Sequence, residues 1–288
     1  MTFNQALAEI IKDWTQVETS FGAIARLKSF SAHTASENLP RETGQAPDNW
    51  PSRGAIEFTN VSASYVANSD LVLRNLSMSI KAGQKIGICG RSGSGKSSLV
   101  STLFRMLEIT EDSSINIDGI DITCIPRQLV RERLNAIPQE PIFIAGNVRV
   151  NADPNGQHTD AAIMEAIEKV QLWELVQQKG GLEAELDAEF FSHGQRQLFC
   201  LARAILRKSK LVILDEATSS VDTKSDELMQ KVIRREFNDC TIIAVAHRLN
   251  TIIDFDKIAL LSGGKLLEFD TPQALLDRQS AFRELYNS

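Results

Sequence analysis

No stretch of this sequence approaches the roughly 18 consecutive apolar residues that a membrane-crossing helix needs; the run 242–246 stops at five. The chain is therefore expected not to cross a membrane by itself. Its first residues hold neither the basic start nor the apolar stretch of a secretory leader, so none is expected. Cysteine is scarce and scattered. Cys89, Cys124, Cys200 and Cys240 form no C-x-x-C pair, which excludes a zinc knuckle or a disulfide framework and implies reduced thiols. A basic surplus is missing too: the formal net charge is −6 and the pI about 5.4. Nucleic-acid binding would show a positive footprint, so no nucleic-acid partner is expected. What remains is ordinary for a soluble globular chain with a core, with 43% hydrophobic and 24% charged residues over a length of 288. That length allows one large domain or two small ones.

Apolar residues Phe3, Leu7, Ile10, Trp14, Val17, Phe21 and Ile24 recur at alternating steps of four and three. This is the seam of a helix that packs against another helix. Residues 34–54 follow, polar and interrupted by Pro40, Gly44, Pro47 and Pro51, the composition of a linker. A helix held off by a linker, with an apolar seam and no companion, expects a partner. The chain thus divides into a helix over 1–33, a linker over 34–54 and a folded domain over 55–288.

Within that domain Ile56 and Phe58 alternate with Glu57 and Thr59, and Leu76, Met78 and Ile80 with Ser77, Ser79 and Lys81. Residues 85–89 read as a short buried strand and 114–119 as an alternating strand and turn. Over 160–178 the apolar positions Ile163, Ala166, Ile167, Val170, Leu172, Trp173 and Val176 keep helical spacing behind Asp160, which can cap. The last third reads as helix 192–207, strand 211–214, helix about 226–237 and strand 241–246. Strands alternating with helices predict a mainly parallel sheet, hence an α/β fold.

Gly90-Arg91-Ser92-Gly93-Ser94-Gly95-Lys96-Ser97 fits G-x-x-x-x-G-K-[ST], with a predicted strand before it and a predicted helix from Ser98 after it. The glycines let successive backbone N–H groups face phosphate oxygens, and the helix N-terminus adds its positive end. Lys96 would reach the β- and γ-phosphates, and the Ser97 hydroxyl would hold Mg²⁺. Residues 211–214 lead into Asp215 and Glu216. A carboxylate there can hold Mg²⁺, and a second beside it can orient or deprotonate an attacking water. Ser192-His193-Gly194-Gln195 precedes an apolar helical run and has the S-x-x-Q form of a capping box. The same helix N-terminus could instead bind an anion, and local physics does not choose between the two. His33 and His158, in polar surroundings with no second ligand nearby, are expected on the surface. Cys200, on the apolar side of its helix, is expected in the core.

Phe191-Ser192-His193-Gly194-Gln195-Arg196-Gln197, just ahead of the acidic strand, resembles the signature motif of ABC ATPases. The other landmarks fall in that family's order over about 55–286. Tyr65 stands where an aromatic stacks on adenine, Gln139 matches the Q-loop, Ser220 to Asp222 the D-loop and His247 the switch histidine. The resemblance implies a P-loop NTPase core, an antiparallel β subdomain and a helical signature subdomain over about 140–207. It implies a nucleotide cradle of Tyr65, the loop 90–97 and Ser98, with Ser192, Gly194 and Gln195 serving a nucleotide on a partner domain. By the same resemblance Ser97, Gln139 and Asp215 hold Mg²⁺, and Glu216, His247 and Gln139 carry catalysis.

More narrowly, the chain is similar to the second nucleotide-binding domain of C-subfamily, multidrug-resistance-associated transporters, with a fungal character. Its N-terminal helix resembles the cytoplasmic end of that family's last transmembrane helix. This implies a partial chain that powers export of drugs or secondary metabolites by ATP hydrolysis. Its partners would be a second nucleotide-binding domain, head to tail, and transmembrane domains. It would lie on the cytoplasmic face of a plasma or vacuolar membrane when assembled, and be soluble in the cytoplasm when alone. Cargo specificity would belong to transmembrane helices that this sequence lacks.

Two departures stand out: Phe191 and His193 replace the usual leucine and glycine of the signature. By the subfamily resemblance such an altered signature implies an asymmetric pair, in which the signature of an absent first domain would serve Lys96, Asp215 and Glu216, while Phe191 to Gln195 would complete a weaker site. Two other classes compete with this reading. A soluble ABC ATPase of translation or repair would carry two such domains or a long insertion, whereas only 215 − 96 = 119 residues separate the loop lysine from the acid. A regulator that does not turn over would not need Glu216.

Overall fold

The computed structural model describes residues 3–34, 36–66, 69–187, 189–215, 222–246 and 248–287. It divides into two compact units, 1–40 and 41–288. The first is helix α1 (Phe3–His33). The 4-3 apolar steps do yield one continuous helix, and it buries none of its residues: Phe3, Trp14, Phe21 and Ile24 are all more than half exposed. Among the described residues no helix is long and apolar enough to cross a membrane.

In the second unit, strands β1 (Ile56–Ser64), β2 (Leu73–Ile80), β3 (Lys85–Cys89), β4 (Glu108–Ile109), β5 (Ser114–Ile117), β6 (Ile120–Asp121) and β7 (Asn135–Ile137) are joined later by β8 (Leu211–Asp215), β9 (Thr241–Val245), β10 (Lys257–Ser262) and β11 (Lys265–Asp270). The helices are α2 (Lys96–Leu103), α3 (Arg127–Arg133), α4 (Val148–Ala152), α5 (Asp160–Lys169), α6 (Trp173–Gln178), α7 (His193–Leu206), α8 (Thr223–Glu236), α9 (Pro272–Asp277) and α10 (Ala281–Tyr286). One sheet is antiparallel, β2-β1-β5-β6 with β4 on β1; the other runs β11-β10-β3-β9-β8-β7 and is parallel except for β11. The mixed α/β architecture expected from the alternation is present. Two apolar clusters fill it. One joins the antiparallel sheet, α2 and part of the parallel sheet, the other the parallel sheet and helices α5, α7 and α8.

Local signals fix several boundaries, and some differ from the sequence reading. The helix expected over 160–178 is broken: α5 ends at Lys169, Gln171 adopts a left-handed φ of 58°, and α6 begins at Trp173. The hydroxyl of Thr159, not the carboxylate of Asp160, caps α5 by accepting from the Ala162 N–H. Helix α8 starts at Thr223, earlier than expected, because the Asp222 side chain caps it from the Ser225 N–H. His158 is not a free surface residue; its Nδ1 lies 3.2 Å from the buried Asp153 carboxylate.

Much of the segment whose composition reads as a linker is bonded into the second unit. The Trp50 indole is 4% exposed and donates to the Ile117 carbonyl at 2.9 Å. The Glu42 carboxylate is buried and accepts from Arg105 Nη2 at 2.7 Å and Arg127 Nε at 2.8 Å. Removing one partner from so deeply buried an ion pair costs about 3–5 kcal/mol, because the other charge is left without compensation in a low dielectric. Glu42 is thereby a fixed point, two residues beyond the unit boundary.

Candidate functional site

The parallel sheet brings the candidate residues to one edge. The register sets Ile88 of β3 beside Val245 of β9, Val245 beside Asp215 of β8, and Leu214 beside Ile137 of β7. The loop 90–97 leaves the end of β3, and Gln139 leaves the end of β7. Loops at the carboxyl ends of parallel strands are where open α/β sheets bind ligands. Glu216, Ser220 and His247, which continue from the ends of β8 and β9 in sequence, lie outside the described residues.

The loop itself is shaped by three left-handed glycines. Gly90 (φ 145°) has no room for a side chain, since a Cβ would lie 2.3 Å from the Leu261 carbonyl oxygen and 2.6 Å from Ser94 Oγ. Gly93 (φ 75°) turns the chain in open space, and Gly95 (φ 103°) caps α2 in a conformation that costs other residues strain. The first turn of α2 therefore borders a cavity of about 690 Å³, and a helix N-terminus favours an anion. Tyr65, Ser92, Gly93, Gly95, Lys96 and Ser97 border it, and Ser98 does so too. The Lys96 side chain is 8% exposed, and its ammonium donates to the carbonyls of Gly90 at 3.1 Å and Arg91 at 3.4 Å. Among the described residues no ion pair neutralises it, so the cavity keeps a positive charge for an anion to meet. Tyr65 is 62% exposed, and its hydroxyl lies 3.2 Å from Ser98 Oγ. The ring thus stands at the rim, largely exposed.

Beneath the loop, burial pushes the Cys89 thiol up to about 12, partly opposed by the Lys96 charge. It is therefore an uncharged packing group. Gly90, Arg91 and Ser94 shape the loop without lining the cavity. Arg74, Gly263 and Gly264 do line it, and the sequence reading passed over them. The turn between β10 and β11 is tied to the loop, with the Gly264 N–H donating to the Ser94 carbonyl at 3.0 Å and the Arg74 N–H to the Gly264 carbonyl at 2.8 Å. The consecutive glycines 263–264 were the available signal.

Ser192, Gly194 and Gln195 do not border this cavity. They form the N-terminal end of α7, where both halves of the capping box are made. Ser192 Oγ accepts from the Gln195 N–H at 3.3 Å, and Gln195 Oε1 accepts from the Ser192 N–H at 2.9 Å. Ser192 and His193 remain exposed at that end. Phe191 is 4% exposed and packs among Phe143, Phe190 and Phe199 at centroid distances of 4.7–6.4 Å. Its replacement of leucine is accommodated inside the helical layer rather than at the exposed tip. Cys200, also buried, lies in the same cluster.

The profile of the ABC transporter family matches residues 73–219. Over 287 residues the chain is 51% identical to ABC multidrug transporter B of Aspergillus fumigatus, a match covering 99% of this chain and 20% of that protein. It is 41% identical to ATP-binding cassette sub-family C member 2 of Rattus norvegicus, across 98% of this chain and 18% of that one. The chain thus spans about a fifth of the length of these curated relatives. Among solved structures, a bacterial Atm1-family ABC exporter with ATP bound superposes with a TM-score of 0.81 at 27% identity, over 93% of this chain and 47% of that one.

Proposed function

Because the chain belongs to the ABC transporter family, we propose that it binds ATP in the cavity at the 90–97 loop and hydrolyses it to drive export by membrane domains of a longer protein. The observation that carries this reading is Lys96. It is a buried cation with no carboxylate partner among the described residues, at the start of a helix that borders a cavity with a largely exposed aromatic side chain at its rim. In the bound state the ammonium exchanges two loop carbonyls for β- and γ-phosphate oxygens, and Tyr65 stacks on the base.

The remaining donors near the strand ends are a hydroxyl, an amide and a carboxylate, from Ser97, Gln139 and Asp215. Such hard oxygens fit Mg²⁺, which is bound by few protein ligands together with substrate phosphates. When bound, Mg²⁺ neutralises charge on the phosphates during transfer. Glu216 orients and deprotonates the water, and His247 contacts the γ-phosphate. Ser192, Gly194 and Gln195 are offered to the nucleotide of a second nucleotide-binding domain, head to tail, with α1 continuing from a membrane segment. In this assembly the chain lies on the cytoplasmic face of the membrane. The helical layer about 140–207 then acts as a unit that carries the signature.

The test is an ATP titration of the chain and its Lys96→Ala variant. A charge-assisted contact to phosphate contributes about 1.5–3 kcal/mol, so the variant should bind at least about tenfold more weakly. Unchanged affinity would remove the assignment of the loop.

A further inference from the structure

Residues 138–146 belong to no helix or strand, so their backbone has no ladder to hold it in place. Side chains of α7 do that work instead. Gln197 is 1% exposed, and its Nε2 donates to the Gln139 carbonyl at 2.5 Å and to the Pro138 carbonyl at 3.3 Å. Six residues farther along α7, Arg203 donates to the Ile142 carbonyl and to the Asn151 carbonyl, each at 2.6 Å, and to Asn151 Oδ1 at 3.1 Å. Asn151, fully buried, holds the other end of the loop through the Ile144 N–H and the carbonyls of Ile144, Gly146 and Asn147.

The residue type at 197 suits this task narrowly. A primary amide nitrogen carries two N–H donors, one for each of the two carbonyls, without bringing a charge into the interior. Among the described residues its own Oε1 is buried without a hydrogen-bond partner, a cost the fold carries where an apolar side chain of the same length would avoid it. The beneficiary is the peptide from which the exposed Gln139 side chain departs. It follows directly on β7, whose pairing with β8 ends at Ile137 beside Leu214, the residue before Asp215.

We propose that Gln197 is a positioning residue. By fixing the 138–139 carbonyls from the signature helix, it sets where the Gln139 amide stands relative to Mg²⁺ on bound nucleotide. This rests on the reading that the chain binds Mg·ATP, and the experiment separates the two. Gln197→Met keeps an unbranched side chain of similar size and removes both donors. ATP affinity of the chain is measured in EDTA and then across a Mg²⁺ titration. Affinity in EDTA should stay within about twofold, because the 90–97 loop is untouched. The Mg²⁺ concentration needed for the Mg²⁺-dependent gain should rise about tenfold, the scale on which residues orienting a metal ligand act.

Since Gln197 acts through Gln139, Gln197→Met should add no further shift in a Gln139→Ala background. An unaltered Mg²⁺ requirement, or full additivity of the two substitutions, overturns the inference while leaving ATP binding intact. No nucleotide binding by the unmodified chain in either condition overturns the ATP reading and this inference with it. Should Gln197→Met fail to fold, the unmodified chain still decides. Adding Mg²⁺ to its ATP complex should shift the Gln197 side-chain amide resonances, and resonances that stay still overturn the inference.

Discussion

Asp118 gathers three backbone donors onto one carboxylate. Oδ2 accepts from the N–H groups of Arg53 at 2.8 Å and Gly54 at 3.1 Å, and Oδ1 from Ala55 at 2.9 Å. Burial alone would raise its pKa, but the backbone donors outweigh it and hold it below the ordinary 3.8. A carboxylate with a depressed folded pKa adds stability that is present above its unfolded value and lost as pH falls through the folded one. Asp118→Asn should therefore lower stability at neutral pH, and its deficit against the parent chain should shrink as the pH falls below about 4. Denaturant melts at neutral and acidic pH check this; a deficit that does not change with pH would refute it. Residues of this kind were hidden in the sequence. Lys96 and Ser97 were legible because their spacing is local, and Tyr65 only through the family resemblance. Arg74 reaches the cavity from β2 and Gly263 and Gly264 from the β10–β11 turn, and Asp118 meets its donors more than 60 residues away in sequence.

At the level of elements, α7 and α8 meet at a point where only glycine fits. A Cβ on Gly194 would lie 2.6 Å from Ser225 Oγ, 2.7 Å from Asp222 Oδ2 and 2.9 Å from Ser225 Cβ. Asp222 is the cap of α8, so its side chain cannot swing aside without releasing the Ser225 N–H. Gly194→Ala should destabilise the chain by about 1–3 kcal/mol, as overpacking does, read as a lowered melting temperature. An unchanged melting temperature would show that the two helix ends slide freely. The sequence reading found both motifs but not their contact, because periodicity describes one helix at a time. The break at Gln171 escaped it for a related reason: Ile163, Ala166 and Ile167 of α5 and Val176 of α6 all enter one cluster, so the apolar rhythm runs on across the kink.

For the molecule as a whole, the α/β order and the loop–acid arrangement were readable, since each depends on strands and helices alternating in sequence. The bonded segment after residue 41 was not, since its prolines and polar residues disguise one buried carboxylate and one buried indole. Under the proposed head-to-tail pairing, a chain offering only its own α7 tip to a second copy presents the exposed His193 imidazole to the nucleotide. Alone, the chain should bind ATP and release phosphate far more slowly than the assembled transporter. Brisk phosphate release by the isolated chain would show that a self-paired tip suffices. Glu42 also gives the molecule a mechanical character. Tension drawn along the polypeptide from residue 40 stops at the buried pair with Arg105 and Arg127, and Arg105 stands two residues past the end of α2. Helix α2 then works as a short strut, braced at its tail by that anchor and carrying Lys96 at its head.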